Sequence, residues 1–236
     1  MKRPVPIVAL DVPDASAALA LVERLGPRAD FVKVGLQLFT AEGPGVVRAL
    51  RERGRRVFLD VKLHDIPNTV AHAVRSAAAL GVELLTVHAA GGAAMLGAAR
   101  EAAGPRGGPG PRLLGVTVLT SLTEAELAEA WGREAVVAAD EVARLAGLAE
   151  RCGMDGVVAS VHEVPVVREA AGEGFVVLTP GIRLAGDAAG DQARVATPAE
   201  AARAGSDYVV LGRSVTAAAD PAAALARALE ELEAGG

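Results

Sequence analysis

The feature that most constrains the fold of this chain is a regular alternation of short apolar runs with alanine-rich segments. The runs are rich in Val and Leu, and the segments between them show helical periodicity and often end at Gly. Strands of this kind, joined by helices, favour parallel pairing with both faces of the sheet covered. The runs are IVALD (7–11), FVKVGL (31–36), VFLDVKL (57–63), LLTVHA (84–89), LLGVTVLT (113–120), GVVAS (156–160), FVVLTPG (175–181) and YVVLGR (208–213).

The number of these units and the length of the chain predict the architecture. Eight strand–helix units in 236 residues fit an α/β fold, the (β/α)8 TIM barrel, whose usual length is about 250 residues. An open, doubly wound sheet is the alternative. No linker interrupts the order, so residues 1–236 are expected to form a single (β/α)8-barrel domain. Residues 133–145 are predicted to form an outer amphipathic helix with a solvated charged face.

Charge and hydropathy narrow the class of partner. The net charge is −5 and the pI is about 5.5, whereas a nucleic-acid or anionic membrane surface would require clustered Lys and Arg. The apolar stretches fall short of the roughly 18 residues that a transmembrane helix needs. Cys152 is the only cysteine, which suits a reducing compartment. We therefore expect a cytoplasmic protein that binds neither nucleic acid nor membrane, and a small anionic ligand remains compatible with this composition.

Charged and polar residues fall where the predicted strands end. In (β/α)8 barrels the active site lies at the C-terminal ends of the strands. Asp11 closes the first run, Lys33 lies in the second, and Thr120 ends the fifth. Arg183 and Arg213 follow the seventh and eighth. We therefore expect these side chains to meet at one mouth of the barrel.

The third run, within FLDVKLHDIPNT (58–69), carries an unusual amount of charge for a buried strand. Asp60 and Lys62 lie two residues apart, so the strand period places them on one face, about 6.5–7 Å apart along the strand. The apolar residues around them face the outer helices. Because buried charges need partners, Asp60 and Lys62 are expected to neutralise one another, with Lys33 and Asp65 as the nearest further candidates. A purely structural ion-pair network is the alternative.

The loops after the last two strands carry features of a phosphate site. Barrels frequently bind phosphate between these two loops, through backbone N–H groups and a helix N-terminus. Gly212 permits close approach of the backbone, and Arg213 can supply a bidentate guanidinium. The segment 180–198 is longer than a usual connection, which is typical of lids and binding loops.

Taken in order, the motifs resemble those of one enzyme family. They are ALD (9–11), KVG (33–35), DVKLHDIPNT (60–69), VHA (87–89), VTVLTS (116–121), DGVVAS (155–160), TPGIR (179–183), GDQ (190–192) and GRSVT (212–216). From about Val8 to Pro221, the chain resembles the orotidine 5′-phosphate decarboxylases. The resemblance implies a cofactor-free, metal-independent decarboxylation of orotidine 5′-phosphate to uridine 5′-phosphate, the last step of de novo pyrimidine nucleotide synthesis.

The resemblance also implies roles for particular residues. Lys62 would be the proton donor to C6 of the pyrimidine. Lys33, Asp60, Lys62 and Asp65 would form an array of alternating charge, in which Asp65 reaches into the site of the neighbouring subunit of a homodimer. Asp11 and Lys33 would hold the ribose hydroxyls. Thr120 would lie near the pyrimidine, although Ser121 could take the same part. The residues expected to contact the phosphate or to close over it are Arg183, Gln192, Gly212 and Arg213.

Other functions share parts of this pattern. Mg²⁺-dependent phosphosugar decarboxylases and aldol-type synthases have the same Asp-x-Lys-x-x-Asp strand, but Lys33 occupies the position of their second carboxylate and would repel the cation. A Schiff-base aldolase needs a neutral amine, whereas carboxylates beside Lys62 suit an ammonium group. A non-catalytic sensor of nucleotide phosphate would keep only the phosphate loops, and it would have no need of Asp60, Lys62 and Asp65.

Overall fold

The computed structural model describes residues 3–187 and 195–236. Within these ranges eight parallel strands pair in chain order, and the last strand pairs with the first, which closes a barrel. The (β/α)8 barrel predicted from the sequence is confirmed, and the open sheet is wrong. The strands are β1 Val5–Ala9, β2 Phe31–Gly35, β3 Arg56–Leu63, β4 Leu84–His88, β5 Arg112–Val116, β6 Gly156–Val158, β7 Val176–Ile182 and β8 Tyr208–Leu211.

Helices surround the barrel, and several of them begin at a capping residue that the sequence offers. The Asp14 side chain accepts a hydrogen bond from the Ala17 N–H at 2.8 Å, and Thr123 and Glu126 form a reciprocal capping box. No helix in the described ranges is both long enough and apolar enough to cross a membrane. The helices are α1 Ala15–Leu25, α2 Leu36–Glu42, α3 Pro44–Glu52, α4 Pro67–Ala79, α5 Gly92–Ala103, α6 Glu124–Trp131, α7 Ala138–Arg151, α8 Val164–Ala171, α9 Pro198–Ala204, α10 Arg213–Thr216 and α11 Pro221–Gly235.

The helix predicted over residues 133–145 begins later than expected. It starts at Ala138, after Val137, whose backbone is extended with φ −97° and ψ 115°. Val has a low helix propensity because its branched side chain loses rotamer freedom in a helix. The charged face is not wholly solvated either. Glu141 is buried, and it accepts hydrogen bonds from Arg133 and Arg144.

The alternation of side chains along each strand divides the core into two layers. Phe58 lies in the interior cluster, with the inward side chains of the other strands. Leu59 lies in the cluster between the strands and the helices, and Val61 and Leu63 pack against it. The outward packing predicted for these three apolar residues is confirmed. The side chains predicted to be functional lie beyond this interior layer, near the C-terminal ends of the strands.

Strand β3 departs from regular pairing near its C-terminal end. Leu59 pairs with Leu85 and Leu63 with Val87, so three residues of β3 lie opposite one residue of β4. Lys62 has φ +49°, and among the described residues it is the only non-glycine with a positive φ. Regular pairing between β3 and β4 is therefore interrupted at Lys62, although Asp60 and Lys62 keep the common face that the two-residue period predicted. Left-handed backbone costs an L-residue about 1–2 kcal/mol.

The opposite, N-terminal end of the barrel is closed by a group of side chains that we call the plug: Phe31, Arg56, Glu83, Arg112 and Tyr208. Arg56 donates two hydrogen bonds to Glu83, at 2.7 and 2.5 Å, and its guanidinium lies 4.2 Å from the centre of the Phe31 ring. Arg112 donates to the Tyr208 hydroxyl at 3.1 Å. The hydrogen bond from Arg56 lowers the pKa of Glu83. The plug thus joins four strands at the closed end.

Candidate active site

A cavity of about 480 Å³ opens at the C-terminal ends of the strands. This volume is in the range of pockets that hold small molecules. The floor of the cavity is apolar and its walls carry charge. The lining residues are Ala9, Asp11, Lys33, Phe58, Asp60, Lys62, Val116, Val118, Leu119, Thr120, Ser121, Val158, Leu178, Pro180, Gly181, Arg183, Val210, Gly212, Arg213 and Thr216.

Four charged residues on one wall form a chain of alternating sign, which we call the charged array: Asp11, Lys33, Asp60 and Lys62. Lys33 Nζ lies 2.8 Å from Asp11 Oδ1 and 3.9 Å from Asp60 Oδ2. Lys62 Nζ donates to Asp60 Oδ1 at 2.8 Å, as the sequence predicted. The side chains of Lys33 and Asp60 are only 10% and 14% exposed, whereas Lys62 is 36% exposed. The inner charges are therefore desolvated, and Lys62 remains accessible to a ligand.

Gly35 makes room for the inner part of the array. A side-chain carbon at this position would lie 2.9 Å from Lys33 Nζ and 3.1 Å from Asp11 Oδ1. Both distances are shorter than ordinary contacts with carbon. The KVG motif therefore combines the ammonium group of Lys33 with the space that its ion pair requires.

Thr86 belongs to the same wall, although sequence reasoning overlooked it. Its Oγ1 donates to Asp60 Oδ1 at 3.0 Å and accepts from the Lys62 N–H at 3.0 Å. The residue is fully buried. A signal was present in the sequence, because Thr86 lies two residues after Leu84, which faces the interior. A polar side chain at an inward, buried position needs a partner.

The phosphate-site residues that lie within the described ranges line the part of the cavity wall that follows β7 and β8. Gly181 has φ +77°, a conformation that favours glycine, and Gly212 directly precedes the short helix α10. Arg183 Nη1 donates to the Ile182 carbonyl at 3.1 Å. Burial and the neighbouring Arg213 charge lower the pKa of Arg183. Two guanidinium groups that repel one another across a shared cavity suit a ligand with more than one negative charge.

Thr120 and Ser121 both line the cavity on the wall that follows β5. Val118 and Leu119 lie beside them and give this wall an apolar surface. A planar ring with polar edges could be accommodated here by contacts with either hydroxyl. The two alternatives for the pyrimidine contact therefore both stay open.

One predicted site residue, Asp65, is described and is not brought to this cavity. Asp65 is exposed and does not line it; its Oδ1 accepts a hydrogen bond from the Ile66 N–H at 2.6 Å. Gln192 lies outside the described residues. The positions of the other predicted site residues agree with a common site, while their roles stay predictions.

Two histidines lie just beyond the array. The rings of His64 and His88 are 5.2 Å apart between their centres. Burial lowers the pKa of His88, and the nearby His64 and Lys62 lower it further. Within residues 3–187 and 195–236, no group of three or more His, Cys, Asp and Glu side chains is arranged to hold a metal ion.

The barrel and its charged mouth together define an enzyme of the TIM-barrel class. Comparison of the sequence with known families gives the narrower assignment. The chain belongs to the orotidine 5′-phosphate decarboxylase / HUMPS family, whose sequence profile matches residues 4–228. The resemblance found in the motifs therefore extends over nearly the whole chain.

Individual relatives agree with the family assignment. The chain is 54% identical over 231 residues to a protein of Moorella thermoacetica named orotidine 5′-phosphate decarboxylase, with 96% of this chain and 91% of the relative covered. It is 56% identical over 228 residues to the protein of that name from Alkalilimnicola ehrlichii, with 97% and 96% covered. A crystal structure of orotidine 5′-phosphate decarboxylase from Lactobacillus acidophilus superposes with a TM-score of 0.85 at 39% identity, covering 98% of this chain and 99% of that one.

Proposed function

We propose that this protein decarboxylates orotidine 5′-phosphate to uridine 5′-phosphate, in the synthesis of pyrimidine nucleotides. One observation carries the proposal: an ammonium group held by a carboxylate, Lys62 Nζ to Asp60 Oδ1 at 2.8 Å, shares a cavity with two arginines. Such a cavity offers one end to a reacting ring and the other to a phosphate. Family membership and the names of the relatives support the same activity.

The chemistry explains why an ammonium group is needed. When the bond between C6 and the carboxyl carbon breaks, CO₂ leaves and the electron pair stays on C6, in the plane of the ring. No carbonyl is placed to delocalise that charge. A preorganised cation stabilises charge that develops in the transition state, and Lys62 can then transfer a proton from Nζ to C6. The resulting amine regains its proton from solvent.

Asp60 has two effects in this scheme. It holds Lys62 through the 2.8 Å hydrogen bond, which fixes the direction of the proton donor. Its own negative charge would also lie near the carboxylate of the bound substrate. Repulsion between the two carboxylates disfavours the ground state more than the transition state, in which the substrate carboxylate is becoming neutral CO₂.

The rest of the cavity supplies binding energy away from the reacting carbon. Asp11 and Lys33 are proposed to hold the ribose hydroxyls, and Thr120 or Ser121 the pyrimidine. The phosphate contacts are assigned to Arg183, Gln192, Gly212 and Arg213. Binding of a non-reacting group can be used to align the reacting groups, so the phosphate is expected to raise kcat/KM and not merely to anchor the substrate.

Lys33 supports this reaction over a metal-dependent one. Its Nζ lies 3.9 Å from Asp60 Oδ2, where a divalent cation bound by Asp60 would experience strong repulsion. The family description also includes HUMPS. An experiment is therefore needed to distinguish the metal-independent reaction from a metal-dependent one. A Schiff-base aldolase and a non-catalytic sensor are disfavoured by the accessible ion pair of Asp60 and Lys62.

The test is a direct assay of the purified protein with orotidine 5′-phosphate in the presence of EDTA. We expect one uridine 5′-phosphate and one CO₂ for each substrate consumed, at a rate that EDTA does not change. A rate that EDTA abolishes and Mg²⁺ restores would favour the metal-dependent alternative. Specific binding of the nucleotide with no turnover would instead indicate a sensor.

We also propose that the functional unit is a homodimer in which Asp65 completes the site of the partner. Asp65 is exposed in the single chain, and the apolar side chains of Leu36 and Ile66 near the same barrel mouth are 63% and 67% exposed. Exposed apolar groups of this size are typical of interfaces when they form a patch. The single-domain organisation and the cytoplasmic location stay predictions from the sequence.

Mixing two inactive variants tests the shared site. Lys62→Ala and Asp65→Ala are each expected to be inactive alone, because each removes one charge from every site. In a mixed dimer one of the two sites would carry both native residues, so activity should return towards one quarter of the wild-type value after random subunit exchange. If no activity returns although exchange is demonstrated, Asp65 does not act across subunits.

A further inference from the structure

We propose that Thr86 is a positioning residue, which holds Asp60 and Lys62 in the arrangement that the reaction requires. The inference rests on the proposed decarboxylase function. Thr86 does not line the cavity and so does not contact the substrate. It acts through its two neighbours on β3, and no motif of the sequence pointed to it.

Thr86 closes a ring of three hydrogen bonds. Its hydroxyl accepts from the Lys62 backbone N–H at 3.0 Å and donates to Asp60 Oδ1 at 3.0 Å. The same carboxylate oxygen accepts from Lys62 Nζ at 2.8 Å. The Lys62 N–H is thus bound by Thr86 and its Nζ by Asp60, and the hydroxyl hydrogen of Thr86 links these two acceptors.

The irregularity of β3 explains why a side chain is needed here. Between Leu59 and Leu63 the strand carries three residues opposite Thr86, so regular backbone pairing with β4 is interrupted. The Lys62 N–H is therefore bonded by the Thr86 hydroxyl, and the backbone at Lys62 is held at φ +49°. A strained residue keeps its conformation only when its surroundings fix it. Thr86, which is fully buried, provides that constraint.

The required chemistry is specific to a hydroxyl group. A hydroxyl both donates and accepts, so it can serve the carboxylate and the N–H at the same time. Valine has the shape of threonine but can do neither, and it would leave the Lys62 N–H without this acceptor. Serine keeps both hydrogen bonds while it loses a methyl group. The three variants Thr86→Ser, Thr86→Val and Thr86→Ala therefore separate the hydroxyl from the volume of the side chain.

The experiment measures kcat and KM for orotidine 5′-phosphate in these variants, together with Tm. We expect kcat to fall about 10- to 100-fold in Thr86→Val and Thr86→Ala, because small displacements of reacting groups have effects of this size. KM should change less than about threefold, since the residues assigned to ribose and phosphate are unaltered. Thr86→Ser should keep kcat within about threefold of wild type, even if the missing methyl group lowers Tm.

Each other outcome has a definite meaning. If Thr86→Val is as active as wild type, the positioning role is wrong while the decarboxylase function stands. If kcat follows Tm, so that Thr86→Ser and Thr86→Ala lose activity equally, Thr86 is only a packing residue. If Thr86→Val fails to fold, the comparison of Thr86→Ser with Thr86→Ala still distinguishes a positioning role from a packing role. A wild-type protein that does not consume orotidine 5′-phosphate would overturn the proposed function, and the positioning role with it.

Discussion

The two ends of strand β3 carry charged residues in two different arrangements. At its start, Arg56 binds Glu83 of the chain segment before β4 through two hydrogen bonds and stacks on Phe31. At its end, Asp60 and Lys62 form a single hydrogen bond within the same strand, beside a cavity. The first pair is bidentate, whereas the second keeps an ammonium group accessible. Charged residues on a buried strand can therefore form a structural ion pair or a reactive one. The difference lies in whether a donor stays accessible to a ligand.

The backbone is also regular at the start of β3 and irregular at its end. Around Arg56 the strand pairs regularly with β2, whereas Lys62 has a left-handed backbone in an interrupted ladder. Strain of this kind collects at functional sites, since it persists only where the surroundings enforce it. We infer that the plug contributes stability and that the charged array reduces it in exchange for reactivity. Three changes test this contrast.

The largest effect is expected from replacing Lys62. Lys62→Ala should lower kcat by about 10⁴-fold, because it removes both the proton donor and the cation that faces the developing charge. Lys62→Gly should be equally inactive. Its free energy of unfolding should be about 1 kcal/mol higher than that of Lys62→Ala, because glycine tolerates φ +49°. Steady-state assays and urea unfolding measure the two effects. Turnover of Lys62→Ala within tenfold of wild type would exclude Lys62 as the donor.

A smaller effect is expected at the phosphate end of the cavity. Arg213→Ala should lower kcat/KM for orotidine 5′-phosphate roughly 10- to 100-fold, the usual value of a hydrogen bond to a charged group. With orotidine, which lacks the phosphate, the same change should have almost no effect. Arg203→Ala, which alters an exposed arginine of α9, is the matched control. Equal losses on both substrates would mean that Arg213 does not recognise the phosphate.

The smallest effect is expected at the plug, and it should appear in stability alone. Glu83→Gln should lower the free energy of unfolding by about 1 kcal/mol at pH 7, a modest value because the side chains of Glu83 and Arg56 are 34% and 36% exposed. The hydrogen bond from Arg56 lowers the pKa of Glu83 from its ordinary value of 4.5. Its contribution is therefore present above pH 4.5 and is lost as the pH falls through the lowered pKa.

Thermal unfolding at pH 7 and at lower pH measures this dependence. The difference between wild type and Glu83→Gln should shrink in acid, while kcat stays unchanged at neutral pH. Glu173→Gln is the matched control, because the Glu173 side chain is 91% exposed. A Glu83→Gln variant that loses turnover without losing stability would reverse the contrast between the two ends of the strand.

The sequence predicted the barrel because the signal for it is repeated. Each strand is a short apolar run and each helix has its own periodicity, so a single misread unit would not change the topology. The positions of Asp60 and Lys62 were also predictable, since the motif DVKLHDIPNT names them and the strand ends locate them.

Other features could not be read from the sequence, for particular reasons. The pairing irregularity that places Lys62 opposite Thr86 arises between two strands, and no local pattern in either strand records it. Thr86 was overlooked because threonine is common in strands, although its spacing from Leu84 already indicated an inward position. The late start of α7 depends on Val136 and Val137, whose low helix propensity was outweighed by the periodicity of the residues that follow.

The two arginines at the cavity mouth have a consequence for how the enzyme meets its substrate. The whole chain carries a net charge of −5, so at long range it repels an anionic nucleotide. Arg183 and Arg213 line the cavity, so a bound anion meets two positive charges at contact. Physiological salt screens interactions beyond about 8 Å and leaves those at contact largely intact. Moderate ionic strength thus weakens the long-range repulsion more than the attraction at contact.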